Sequence, residues 1–155
     1  MNNTFTFRPF CGESDYAVFA MLINSCKQAD GIEWAVSTDD VTRNYSHLVN
    51  SDPARDLLVA ESGGQPVGYG RVEWRLTSEG EYMYSLLGYV HPDYRRRGIG
   101  AALLARQEAR LREIAAAHPP APRYFQIFVG GKAIAKTALL PRAGYTPTRD
   151  FIDMV

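Results

Sequence analysis

The chain lacks most features that mark a specialised environment. Its 155 residues include only two cysteines, Cys11 and Cys26. Neither has zinc-ligand spacing around it, and two are too few for a disulfide framework. They read as small semi-buried residues of a reducing compartment, and no residue cluster asks for a metal. No apolar run approaches the ~20 residues of a membrane-spanning helix, and no basic-then-apolar leader opens the chain. The expectation is a cytoplasmic protein with no membrane partner. An excess of one charge is also missing: Lys+Arg and Asp+Glu each number 17. No global field therefore draws in a nucleic acid or an anionic surface. Repeats, low-complexity tracts and linkers are absent. The densest proline cluster, His118-Pro119-Pro120-Ala121-Pro122, is long enough only to stop a helix and begin a loop.

What is present is ordinary globular material, 46% hydrophobic and 22% charged, in a length that fits one domain spanning 1–155 with one core. Phe5 to Arg8 alternates as a strand does. From Ser14 onward, Phe19, Leu22, Ile23 and Cys26 form an apolar helical stripe. Ser37 and Asp40 stand three apart, as in a capping box, although that box prefers Glu or Gln at the later position. Val41, Tyr45, Leu48 and Val49 follow at helical spacing. The period then shortens. Leu57 to Ala60, Pro66 to Leu76 and Glu81 to Val90 read as three strands of an antiparallel meander, with turns at Ser62 to Gln65 and Thr77 to Gly80. On the second of them Arg71, Glu73 and Arg75 share one face, and Val72 and Trp74 the other.

Gly98 to His118 gives the strongest helix, with Ile99, Leu103, Leu104, Leu111 and Ile114 as its stripe. Tyr124 to Val129 reads as a strand, Gly131 to Leu140 as a shorter helix, and Thr146 to Val155 as a final strand pair. The order β-α-α-β-β-β-α-β-α-β-β predicts a mixed α/β sheet.

The chemistry concentrates where a strand meets the strongest helix, at Val90-His91-Pro92-Asp93-Tyr94-Arg95-Arg96-Arg97-Gly98-Ile99-Gly100-Ala101. A helix N-terminus presents unpaired N–H groups and about half a unit of positive charge, which suits phosphate oxygens. Gly98 and Gly100 let a ligand approach the backbone, and the three arginines add directional donors. Other phosphate motifs fail on position. The dinucleotide fingerprint needs glycine where Leu103 stands. The P-loop needs Ser or Thr after Gly131-Lys132, where Ala133 stands, and glycine where Gln126 stands. A nucleic-acid patch is disfavoured by the neutral total charge and the strand-loop-helix setting.

This segment resembles motif A of the GNAT superfamily, the GCN5-related N-acetyltransferases: Arg or Gln, two residues, Gly, one residue, then Gly or Ala. Arg95, Gly98 and Gly100 match it, and the flanking Val-His-Pro-Asp-Tyr and Ala101-Ala102-Leu103-Leu104 are similar to many members. With the strand order, the resemblance extends over nearly the whole chain. It implies a mixed, mostly antiparallel sheet with helices on both faces and a V-shaped splay between the fourth and fifth strands. Acetyl-CoA would be the cosubstrate. Its pantetheine would lie against backbone groups of Gly88, Tyr89 and Val90, and its pyrophosphate against the N–H groups of Arg95, Arg96, Arg97, Gly98, Ile99, Gly100 and Ala101. The reaction implied is direct transfer to the amine of a small molecule or peptide, by a monomer or homodimer.

Two departures concern catalysis. The family often places a Glu where this chain has Leu86, and a Tyr in the last helix, five residues before Tyr145 of the Gly144-Tyr145 pair, where it has Leu140. Ala133 stands where an Asn often begins that helix. Tyr84, on the strand face of Leu86, and Glu73, on the neighbouring strand, are the substitute candidates. Packing for Tyr84 and an ion pair with Arg71 or Arg75 for Glu73 are the competing readings. Trp34, between the first two helices, is a candidate for lining the acceptor pocket. His91 and His118 read as structural, the latter as a charge near a helix C-terminus. Two functions stay open: a transferase, and an acyl-CoA-binding module with little activity or one half of a tandem GNAT protein.

Overall fold

The computed structural model describes residues 4–127 apart from 32 and 34. The helix expected over 131–140, the last strand pair, Leu140 and Trp34 lie outside the described residues. The chain opens with β1 (Thr6–Pro9), followed by α1 (Ser14–Ala29), α2 (Thr38–Tyr45) and a one-turn α3 (Pro53–Asp56). The strands β2 (Leu57–Ser62), β3 (Gln65–Leu76) and β4 (Tyr82–Val90) come next, and after a 3₁₀ turn at Pro92–Tyr94, α4 (Ile99–Ala116) leads to β5 (Arg123–Ile127).

The five strands form one sheet in sequence order. β1 to β4 pair antiparallel, and β4 pairs parallel with β5, Tyr82 with Arg123 through Leu86 with Ile127. The parallel pair follows from the crossover through α4, since parallel neighbours need a long connection. The pairing recorded for β5 stops at Leu86. The splay expected beyond it involves residues after 127, outside the described set.

The sheet is covered on both faces, by different helices. Phe19, Leu22 and Ile23 of α1 and Val41 and Tyr45 of α2 pack with Leu57, Val59 and Tyr69 on one face. Leu104, Leu111 and Ala115 of α4 pack with Val72, Tyr82, Tyr84 and Leu86 on the other. Strand parity explains the division: Tyr69, Arg71 and Glu73 point to the α1 side, and Gly70, Val72 and Trp74 to the α4 side. The glycines let α4 come close. A Cβ on Gly70 would meet the Gln107 amide and Leu103, and one on Gly88 would touch Leu103 Cδ2 at 3.2 Å.

The Ser37–Asp40 capping box forms, with Asp in place of Glu. The helical period past Tyr45 does not carry the helix on. α2 ends there, and Val49 is 75% exposed. The turn α3, capped by Asp52 and begun by Pro53, is too short to give a period. His118 also differs from its expected role. It stacks on Tyr82 (4.4 Å), lies tilted against Trp74 (4.3 Å), and its Nδ1 lies 2.8 Å from the Tyr84 hydroxyl. Desolvation, and then Arg123, lower its pKa. It is a neutral aromatic wedge rather than a charge at the helix end.

Candidate functional site

The strand-to-helix junction is built from four local devices. Pro92 starts the 3₁₀ turn, and His91 Nδ1 accepts from Asp93 N–H at 3.1 Å. Arg95 is extended, then Arg96 and Gly98 adopt positive φ of 63° and 86°. Two left-handed residues in so short a span turn the backbone sharply into α4. The first helical hydrogen bond is donated by Ala102 N–H to Gly98 O at 3.0 Å, so the helical N–H groups before it have no acceptor further back along the helix. Ile99 is buried and anchors the turn on Ala60 and Val67, and Arg96, Arg97 and Gly98 are exposed. The result is a run of backbone donors at the positive end of an 18-residue helix, with two exposed guanidinium groups beside it. One of them, Arg97, lies over the Tyr94 ring at 5.0 Å. This arrangement can hold a diphosphate.

Arg95 does something else. Its guanidinium turns back to Val90 O (Nε, 3.3 Å) and to Asp30 at the end of α1 (Nη1, 3.5 Å). Cys26 Sγ donates to the same Val90 carbonyl at 3.2 Å. The side chain fixes the loop, leaving its backbone and Arg96 and Arg97 to face a ligand.

The end of β4 is held from the α4 side by a residue that the sequence did not single out. Gln107, 6% exposed, donates to Leu87 O at 2.8 Å and to Arg71 O at 3.4 Å. A side chain of α4 thus takes a carbonyl of β4 one residue before Gly88. A glutamine inside an apolar stripe was the available signal. Gly88, Tyr89 and Val90 follow on this segment. The Tyr89 ring stacks on Tyr69 at 5.5 Å, and burial pushes its pKa up to about 12.

The two acid–base candidates are not brought together. Tyr84 is fully buried on the α4 side, bonded to His118 and edge-on to Phe125, so its hydroxyl is part of the packing. Desolvation raises its pKa. Glu73 is on the opposite face, half-exposed, and pairs with Arg71 at 3.1 Å. Arg71 lies 5.1 Å from the Tyr45 ring centre, and the Tyr45 and Tyr69 hydroxyls are 2.8 Å apart. Burial raises both tyrosine pKa values. Tyrosines 45 and 69 with Arg71 and Glu73 thus form a polar cluster on the α1 side, next in register to Leu87 and Ser85 of β4.

Known proteins share this architecture. The sequence model of the Acetyltransferase (GNAT) domain matches residues 53–145. The mycothiol acetyltransferase of Kineococcus radiotolerans is 34% identical over 146 residues, which is 94% of this chain and 43% of that protein. A GCN5-related N-acetyltransferase from Sphaerobacter thermophilus superposes with a TM-score of 0.77 at 25% identity, over 92% of this chain and 44% of the other. The structure of yncA from Salmonella typhimurium with its cofactor acetyl-CoA superposes with a TM-score of 0.69 at 24% identity, over 94% of this chain and 81% of that one. The chain therefore spans less than half the length of the first two. No helix among the described residues is long and apolar enough to cross a membrane, and no cluster among them has metal-ligating composition.

Proposed function

The chain belongs to the GNAT acetyltransferase family, and from that premise we propose that it transfers an acetyl group from acetyl-CoA directly to the amine of a small molecule or peptide, as a single domain. The observation that carries this reading is the turn at Arg96–Ala101, where two positive φ values lead into α4 and the helical N–H groups before Ala102 have no acceptor further back along the helix. The pyrophosphate would rest there, and the pantetheine would run along Gly88, Tyr89 and Val90. The coenzyme supplies the activated thioester. The amine nitrogen attacks the carbonyl carbon, the new C–N bond forms, the C–S bond breaks, and the electron pair leaves on sulfur. The amine loses one proton and the thiolate takes one up.

Glu73 is the carboxylate we assign to the amine's proton, because its side chain is half-exposed, where an acceptor can reach it. Tyr84 supports the strand from inside the core. Glu73→Gln should lower kcat by about 10²-fold, the low end for general-base loss, with CoA affinity unchanged.

The test of the reading is release of CoA thiol on mixing the protein with acetyl-CoA and a panel of amines. Acceptor-dependent turnover is expected. Gly100→Asp places a carboxylate where the pyrophosphate belongs and should abolish CoA binding in calorimetry. It should not unfold the protein, since Asp in the first turn suits the helix dipole. Unchanged CoA affinity in that variant would remove the assignment of this turn.

A second reading has its own support. Spanning 43% of one relative and 44% of another is what a chain equivalent to one half of a tandem protein gives. CoA binding without turnover across the panel would favour that reading.

A further inference from the structure

The α1-side face of β3, β4 and β5 carries an imbalance found nowhere else among the described residues. Buried side-chain polar atoms almost always find a partner. Here two do not, Arg71 Nε and Gln126 Oε1, one a donor and the other an acceptor. Both belong to the same face. Glu73 pairs in register with Ser85, and Ser85 with Gln126, so the three side chains form one row across three strands. Arg71 is two residues along β3 from Glu73, on the same side. Phe125, the neighbour of Gln126, points the other way, onto Tyr84 and under Arg112 of α4.

Ideal spacings between and along strands put the Arg71 and Gln126 Cα atoms about 12 Å apart. Two extended side chains and one small ligand close that gap. Arg71 is already shaped for an anion. Its ring contact with Tyr45 holds the guanidinium plane, and its side chain keeps 21% exposure. Its only carboxylate partner among the described residues, Glu73, is 41% exposed, so a ligand carboxylate can replace it. That replacement frees Glu73 beside the amine it is assigned to deprotonate. Gln126 pairs in register with Ser85 of β4, the strand along which the pantetheine would run further on at Gly88, Tyr89 and Val90.

We propose that the acceptor is an amine that carries a carboxylate, as an amino acid does, with Arg71 binding the carboxylate and Gln126 Oε1 accepting a hydrogen bond from the amine nitrogen. This rests on the acyl-transfer reading above and names its substrate class.

The experiment compares each of a panel of L-amino acids with its own primary amide, by thiol release from acetyl-CoA. It also measures, in the presence of CoA, the affinity for each N-acetylated amino acid and its amide. The wild type should favour the acid form of its best acceptor by at least tenfold in kcat/KM, and the acetylated acid over its amide in affinity. Arg71→Gln should erase both preferences, mainly through KM, and leave CoA affinity unchanged. Arg71→Lys, which keeps the charge, should recover part of the preference. Gln126→Leu should raise KM for acid and amide alike. Equal handling of acids and amides by the wild type, or a preference that survives Arg71→Gln, overturns the proposal. CoA affinity, measured alone, separates the two levels. Its absence overturns both readings, and its presence with equal acid and amide affinities overturns only this one.

Discussion

Arg96 occupies a backbone conformation that side chains with a Cβ avoid, at φ 63°. For a non-glycine residue this costs about 1–2 kcal/mol. Glycine removes that strain but loses about 0.5–1 kcal/mol of chain entropy on folding. Arg96→Gly should therefore stabilise the protein by about 0.5–1 kcal/mol in urea unfolding, the difference of these effects. The same variant should weaken CoA binding several-fold by calorimetry, because an exposed guanidinium leaves the phosphate loop. A gain in stability with a loss of affinity is the mark of a residue kept for its ligand. The motif was legible here because glycines and arginines at fixed offsets state a local geometry. Arg71 and Gln126 were not. Their significance is a shared sheet face and two unpartnered atoms, and the two residues are 55 apart in the sequence. Tyr84 shows the same limit from the other side: its strand face was correctly read, but which helix covers that face was not.

At the scale of elements, the apolar stripe of α4 was legible because Ile99, Leu103, Leu104 and Leu111 recur at the helical period, and all are buried. How closely the helix approaches the sheet was not, since that depends on Gly70 and Gly88 facing Leu103 and Gln107. A methyl at Gly70 would displace the Gln107 amide, which is tied to two strand carbonyls. Gly70→Ala should cost about 1–3 kcal/mol, the usual penalty for overpacking. It should also weaken CoA binding, because α4 carries the donor turn at its N-terminus. The other end of α4 gives a pH prediction. Desolvation, and then Arg123, hold His118 below its ordinary value of 6.5, while Tyr82, Tyr84 and Trp74 enclose its ring. As pH falls through 6.5 the unfolded chain takes a proton before the folded chain does. This contribution is therefore complete above that value and erodes below it. The urea midpoint of the wild type should drop more between about pH 7.5 and pH 5.5 than that of His118→Gln. Parallel pH profiles for the two proteins would contradict the assignment.

Across the whole molecule, the donor turn and the acceptor face meet through α1. The helix packs on the face that carries Tyr69, beside Tyr45 of α2, and its end reaches the donor side twice: Asp30 pairs with Arg95, and Cys26 Sγ donates to Val90 O. Val90 ends the strand along which the pantetheine would lie, and Arg95 begins the phosphate turn. A change at the end of α1 is therefore felt on both sides of the reaction, although Asp30 would contact neither substrate. Asp30→Ala leaves the Arg95 guanidinium with Val90 O alone and frees it to move. Coupling through such packed networks is worth about 0.5–2 kcal/mol, or about 2- to 30-fold in affinity. CoA binding to Asp30→Ala should weaken within that range, while urea unfolding of the free protein changes little, because the pair is long, at 3.5 Å. The ligand's own effect gives the control. CoA at 100 times its Kd should stabilise the wild type by about 2.7 kcal/mol. At the same concentration it should stabilise Asp30→Ala less, by an amount equal to the affinity lost. Equal stabilisation of both proteins would mean that the α1 end and the phosphate turn are energetically separate.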